Sequence, residues 1–260
     1  MRELQLKIGE HVLRVSCLDS EEILKMYNRH FFSQTKNERP NITITLHIGF
    51  GVPFLDYEVK ISKYNNKIIF QRADYLIEAS SDYKSATIHV HDELALKHAF
   101  MNLYSSYIVY HNWGLLIHSS CALEAGKAHI FSGHSGAGKS TAARLSQPRE
   151  VLSDEASIVK ITGDSITIFD SPFRSELNSE GTHQTAPLVS IQLLHQSLQN
   201  KREQLKKTDA LINLVDKVFY WAHSPEESKK VMGLLKTLVS NVPVYNLYFK
   251  KDNTFWELIS

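Results

Sequence analysis

An α/β fold, with a small β-rich module ahead of a larger domain of alternating strands and helices, follows from three patterns in the sequence. Apolar residues alternate with polar ones in several short runs before residue 91, the period of half-buried strands. Between Asp92 and Trp113 the period lengthens to that of a helix. After it, an apolar hairpin leads into a glycine-rich stretch, Gly133 to Thr141, with more short strands and two helices behind it. These patterns divide the chain into residues 1–91 and 92–260.

In the first part, Leu4, Leu6 and Ile8 alternate with polar neighbours, as do Val12 and Leu13 less cleanly. Asp19-Ser20-Glu21-Glu22 opens a short amphipathic helix through His30. Further alternating runs follow at Ile42 to Ile48, Tyr57 to Ile61, Ile68 to Phe70, Tyr75 to Glu78 and Ala86 to Val90. Turn signals at Gly49-Phe50-Gly51, Asn65-Asn66 and Ser80-Ser81-Asp82 separate them. A small antiparallel sheet of hairpins is the expectation, serving as a cover for the second domain or as a docking platform for a partner polypeptide by strand addition.

The helical run places Leu96, Phe100, Leu103 and Tyr107 on one side, with Asp92 as cap and Gly114 as stop. Tyr104, Tyr107 and Tyr110 read as packing rather than a ligand box. Leu115 to Glu124 is then a strand that turns at Ala125-Gly126 into Lys127 to Ser132, which feeds the glycine-rich stretch.

Gly133-His134-Ser135-Gly136-Ala137-Gly138-Lys139-Ser140-Thr141 fits the phosphate-loop pattern G-x-x-x-x-G-K-[ST] at each specified position. Three glycines in six residues let the backbone curl until its N–H groups point into one anion-sized hollow, and a Cβ there would crowd a phosphate. Lys139 supplies positive charge to the β- and γ-phosphates of a nucleoside triphosphate, and the Ser140 hydroxyl is the expected Mg²⁺ ligand. Ser140 to Ser146 reads as a helix whose N-terminus faces the anion.

Composition narrows the partners. The 260 residues are 43% hydrophobic and 22% charged with a net charge of +1, so no global field argues for nucleic acid or an acidic membrane surface. Cys17 and Cys121 form no disulfide framework or metal pattern, which fits a reducing cytosol and a cytoplasmic location. The thirteen histidines lack zinc-site spacing. The N-terminus breaks its apolar residues with charges, unlike a signal peptide, and no apolar run spans a membrane. Homo-oligomer formation is left open.

After the loop, Asp154-Glu155 follows the short strand Val151-Leu152. A carboxylate there suits a base or water-orienting group, with Glu155 as metal contact. His118 either acts on Asp154 or the γ-phosphate, or is a satisfied structural group. A hairpin, Ala156 to Ile161 and Ser165 to Phe169, precedes Arg174, whose guanidinium suits a transferring phosphate. Pairing with Glu176 or Glu180 is its other use. Leu177 to Pro187 reads as a loop beside the site, and Asn200-Lys201-Arg202 with Lys206-Lys207 as a solvated basic run. Thr208-Asp209 begins a helix with Leu211, Val215, Val218, Phe219 and Ala222 on one side. Ser224-Pro225-Glu226-Glu227 begins another, with Val231, Leu234, Leu235 and Leu238 inward, and Val242 to Phe249 is a strand.

The hairpin with His118, the G-x-S-G-x-G-K-S loop and the acidic pair after one helix resemble the HPr kinase/phosphorylase superfamily over about residues 90–260. Those are serine kinases whose fold is similar to phosphoenolpyruvate carboxykinase. The resemblance places His118 in the position of a family histidine and Asp154-Glu155 in that of the family's acidic pair, with Glu replacing the usual second Asp. Pro172-Phe173-Arg174, Ala186-Pro187-Leu188, Val242 to Phe249 and Phe255 to Ile259 resemble the shorter HPr-kinase-related proteins, some of which are lasso-peptide precursor kinases. The segment used for the family's phosphorylase reaction has no counterpart here, so the resemblance does not extend to phosphate removal or to HPr as substrate. The expectation is an ATP-dependent kinase acting on a serine of a peptide or small protein. A small-molecule kinase and a nucleotide-dependent regulator or ATPase are the rival expectations, and a guanine-nucleotide switch lacks its N/T-K-x-D sequence.

Overall fold

Period-2 patterning becomes seven strands in the N-terminal half of the computed structural model, which describes residues 2–17, 38–175 and 184–259. The strands are β1 (Arg2–Ile8), β2 (His11–Cys17), β3 (Ile42–Ile48), β4 (Lys60–Tyr64), β5 (Lys67–Gln71), β6 (Tyr75–Ser80) and β7 (Ser85–Val90), in the order β1-β2-β3-β7-β6-β5-β4. The expected hairpins form at β1/β2 and through β4-β5-β6-β7, but β3 runs parallel to both β2 and β7. Alternation tells a strand which face is buried and says nothing of its neighbour's direction, and parallel pairing needs a long connection. Between β3 and β7 that connection contains β4 to β6. The expected helix at Asp19 to His30 lies outside the described residues.

Helix α1 (Glu93–Tyr110) is capped as its sequence dictates, the Asp92 carboxylate accepting from the Ala95 N–H at 2.9 Å. It packs on β6 and β7 and is buried on nearly all sides, Asn102, Ser105 and Ser106 included. Its end differs from expectation. Asn112, at φ 53°, turns the chain in the left-handed region, while Gly114 already belongs to the next strand, where a Cβ would lie 2.0 Å from the Val159 carbonyl. Tyr104 is a packing residue, fully buried with its hydroxyl on the Ile8 carbonyl at 2.9 Å.

The described chain divides into two compact units, Met1–His111 with Tyr220–Ser228 and Asn112–Phe219 with Lys229–Ser260. Helix α1 thus goes with the first unit, and the division falls after it rather than at 91/92, because its apolar surface is covered by the first sheet.

The second unit is built on β8 (Gly114–Glu124), β9 (Lys127–Ser132), β10 (Val151–Ser153), β11 (Ala156–Ile161), β12 (Ile166–Phe169), β13 (Thr185–Gln196), β14 (Lys201–Gln204) and β15 (Val244–Phe249). Their order is β10-β8-β11-β12-β13-β15-β14, with β9 joining β8 to β13. The two longest strands change partner along their length. β8 pairs with β11 through residues 114–118 and with β9 through 119–124, and β13 leaves β12 for β9 and β15 after Pro187. The Ala125-Gly126 turn, both residues at positive φ, closes the expected β8/β9 hairpin. Thr185 to Pro187, assigned by composition to a loop, begins β13. Residues 177–183 of that loop lie outside the described residues.

Helices α2 (Lys139–Leu145), α3 (Lys207–Val215) and α4 (Pro225–Asn241) complete the chain. In α3 the buried side chains are Ala210 and Leu214, one position off the expected stripe, and the helix stops at an exposed Val215. Val218 and Phe219 instead run along β8, the Phe219 N–H on the Leu116 carbonyl at 2.8 Å. In α4 the expected Val231, Leu234, Leu235 and Leu238 are buried. Ser224 caps it through the Glu227 N–H, while the Glu227 carboxylate serves the Tyr83 and Tyr220 hydroxyls. Among the described residues no helix is long and apolar enough to cross a membrane.

Phe131, Ala137, Ala142, Leu194, Leu247, Phe249, Phe255 and Trp256 form one apolar cluster beneath the glycine-rich stretch. Phe255 and Trp256 come from a 3₁₀ turn (Asn253–Leu258). The Trp256 indole N–H donates to Ser146 Oγ at the end of α2, and Arg149 covers the ring, its guanidinium 4.2 Å from the ring centre.

Candidate functional site

The parallel strands β9, β13 and β15 end together, and the glycine-rich loop leaves β9 at that edge. This is where open α/β sheets bind ligands, outside the carboxyl ends of their strands. A cleft of about 450 Å³ opens there, within the usual range for small-molecule sites.

Contacts within the chain also require glycine at two positions of the loop. A Cβ on Gly133 would sit 2.8 Å from the Ala137 side chain, and one on Gly138 would sit 2.8 Å from Cζ of Phe249. Gly136 and Gly138 have φ of 79° and 109°. The loop therefore curls against its own Ala137 and the buried end of β15. Gly138→Ala combines the strained φ with the ring clash, so we expect a loss of about 1–3 kcal/mol of stability and weakened binding of anions, checked by thermal unfolding and nucleotide titration.

Lys139 is 9% exposed, and its ammonium donates to the carbonyls of Gly133 (3.2 Å) and His134 (3.1 Å). It has no carboxylate partner among the described residues. Burial, then the charge of Lys217, pulls its pKa below the usual lysine range. Ser120 Oγ on the Lys139 carbonyl (3.0 Å) ties this residue to β8. Ser135, Gly136, Gly138, Ser140 and Thr141 also line the cleft. Gly133, His134 and Ala137 do not, Ala137 lying in the apolar floor.

Asp154 and Glu155 form the two-residue connection from β10 to β11 and face this cleft with His118. Strand register explains the meeting, since Ala156, next after the acids, pairs with His118 across β11 and β8. Beneath them, buried serines cross-link the strands: Ser157 Oγ lies 2.7 Å from Ser119 Oγ and 2.5 Å from Ser153 Oγ. Asp154 is 2% exposed. Its Oδ1 accepts from the Ser175 N–H (3.1 Å) and its Oδ2 from Ser175 Oγ (3.2 Å).

The structure does not bring Arg174 to the cleft lining. Its buried guanidinium donates to the carbonyls of Val151 and Leu152 and pairs with Asp170, an acid absent from the pairings expected for it. Arg174 so fastens residues 171–175 to β10. Arg174→Ala is expected to cost about 3–5 kcal/mol by stranding a buried carboxylate, a loss readable as a lowered denaturation midpoint.

Burial first, then the charges of Lys139 and Lys217, lower the His118 pKa to about 4, and the ring stacks on Phe219 at 5.2 Å. The imidazole is therefore neutral at pH 7. Because the unfolded chain binds this proton more readily than the folded one, stability falls as the pH drops from 6.5 towards 4. His118→Gln should flatten part of that acid limb in urea titrations run across the interval. His129, lowered to about 4 chiefly by burial, accounts for another part.

Sequence reasoning missed Ser175, Gln196, Phe249, Lys251 and Arg144 as cleft residues. Gln196 and Phe249 end parallel strands, a position that marks ligand sites once strand direction is known, and the Gln196 amide donates to the Gly136 carbonyl at 2.7 Å. Arg144, one turn after Ser140, was legible from helical spacing.

Fold and site together define a mixed α/β protein with a lysine-bearing glycine loop facing an acidic pair across one cleft. Over residues 86–260 the sequence matches the family described as SynChlorMet cassette protein ScmC, and the chain belongs to that family. No curated protein matches it.

Proposed function

We propose that this chain is an ATP-dependent phosphotransferase of the HPr-kinase-like type, moving the γ-phosphoryl group of Mg-ATP to a serine hydroxyl of a peptide or small protein, a ribosomally made precursor peptide among them. The observation that carries this reading is the buried Lys139 ammonium, without a carboxylate partner among the described residues, in a loop whose cleft also holds Asp154. A buried cation in that condition is stabilised by an anionic ligand. The positive φ of Gly136 and Gly138 suits amides that cradle phosphate oxygens.

Among the described residues no group of three or more His, Cys, Asp or Glu side chains is arranged to hold a metal. Magnesium delivered with a nucleotide needs only one or two protein ligands besides phosphate and water, and Ser140 with Glu155 fits that need. The ion would spread the charge on the phosphate oxygens. Lys139 holds the β- and γ-phosphates, neutral His118 offers a hydrogen bond without adding a further positive charge, and Asp154 takes the proton of the acceptor hydroxyl. Incubation with magnesium, γ-labelled ATP and serine peptides tests this. Labelled phosphoserine is expected, and release of phosphate alone would make the chain an ATPase.

A further inference from the structure

We infer that Ser175 is itself a phosphoacceptor, modified in cis when a nucleoside triphosphate and magnesium are bound. This rests on the phosphotransferase reading and names an acceptor for it within the chain. A general base must lie within hydrogen-bond reach of the proton it takes, and Asp154 Oδ2 lies 3.2 Å from Ser175 Oγ. The Ser175 N–H on Oδ1 at 3.1 Å fixes the pair from a second side. The carboxylate is buried, whereas Ser175 is exposed and lines the same cleft as Lys139 and Ser140.

Acceptor and base are also held on one anchored piece of chain. The Ser171 N–H donates to the Leu152 carbonyl at 2.9 Å, and Arg174 grips the carbonyls of Val151 and Leu152, the strand that presents Asp154. Holding the two reacting groups together replaces a bimolecular encounter by an internal one. In the transfer the Ser175 Oγ–H bond breaks and its proton passes to the Asp154 carboxylate. The Oγ–Pγ bond forms as the bond from Pγ to the β-phosphate's bridging oxygen breaks, leaving a nucleoside diphosphate and phosphoserine.

The test uses the full chain, freed of prior phosphate by a phosphatase that is then removed, incubated with Mg-ATP and no peptide. Tandem mass spectrometry maps any phosphoryl group, and titration calorimetry with a non-hydrolysable ATP analogue measures binding separately. One phosphoryl group on Ser175 is expected, forming at a first-order rate that does not change on dilution. Ser175→Ala should carry no phosphoryl group under the same conditions. Ser175→Thr should yield phosphothreonine at the same position. If a parallel incubation with added serine peptides labels a peptide while Ser175 stays unmodified in both, this inference falls and the kinase reading stands. If the analogue does not bind and nothing is transferred, both fall. A rate that rises with protein concentration overturns the assignment in cis.

Discussion

Lys139→Ala is expected to lower phosphoryl transfer by at least about 10²–10³-fold, the effect of removing one preorganised charge from a transition state, and to leave the fold intact. The reason lies in the residue's surroundings. The residue is 9% exposed, and its ammonium is held by two carbonyls and repelled by Lys217, so the unliganded protein gains little from it. The triphosphate gains most. Thermal unfolding should therefore show an unchanged or slightly raised midpoint, while nucleotide titration shows weakened binding. A large drop in midpoint with binding retained would make Lys139 a structural residue and remove the main support for the nucleotide reading.

Asp154→Asn is expected to separate binding from chemistry in the opposite way. Asparagine keeps the shape and an acceptor for the Ser175 N–H, so residues 171–175 stay docked and nucleotide affinity is retained. Its amide cannot take a proton, and transfer should fall by about 10²–10⁴-fold, the usual contribution of a general base. Steady-state rates beside calorimetric binding read both quantities. Transfer near the parent rate would remove Asp154 from the base role and leave it as the anchor of Ser175.

Much of this cleft is written locally. The G-x-x-x-x-G-K-S spacing names the loop because backbone conformation and lysine reach are set by neighbouring residues, and Ala125-Gly126 names the hairpin for the same reason. Asp92 and Ser224 announce the starts of α1 and α4 through bonds that span three residues. Arg174 shows the limit. Its partner among the acids nearby, Asp170, and its carbonyl partners more than twenty residues back were open to it only once β10 had been placed beside residues 171–175. The same holds for α3, whose buried stripe shifts by one residue because the segment after it turns to follow β8.

By itself the sequence determined a mixed α/β chain, the extents of most strands, and the loop with its lysine, since each depends on contacts a few residues apart. Only the tertiary structure decided that β3 runs parallel to its neighbours, that α1 belongs to the first unit, and that Ser175, Gln196 and Phe249 share the cleft of Lys139. Those outcomes depend on which strands become neighbours and in which direction. Alternation along a strand records which face is buried, not what lies beside it.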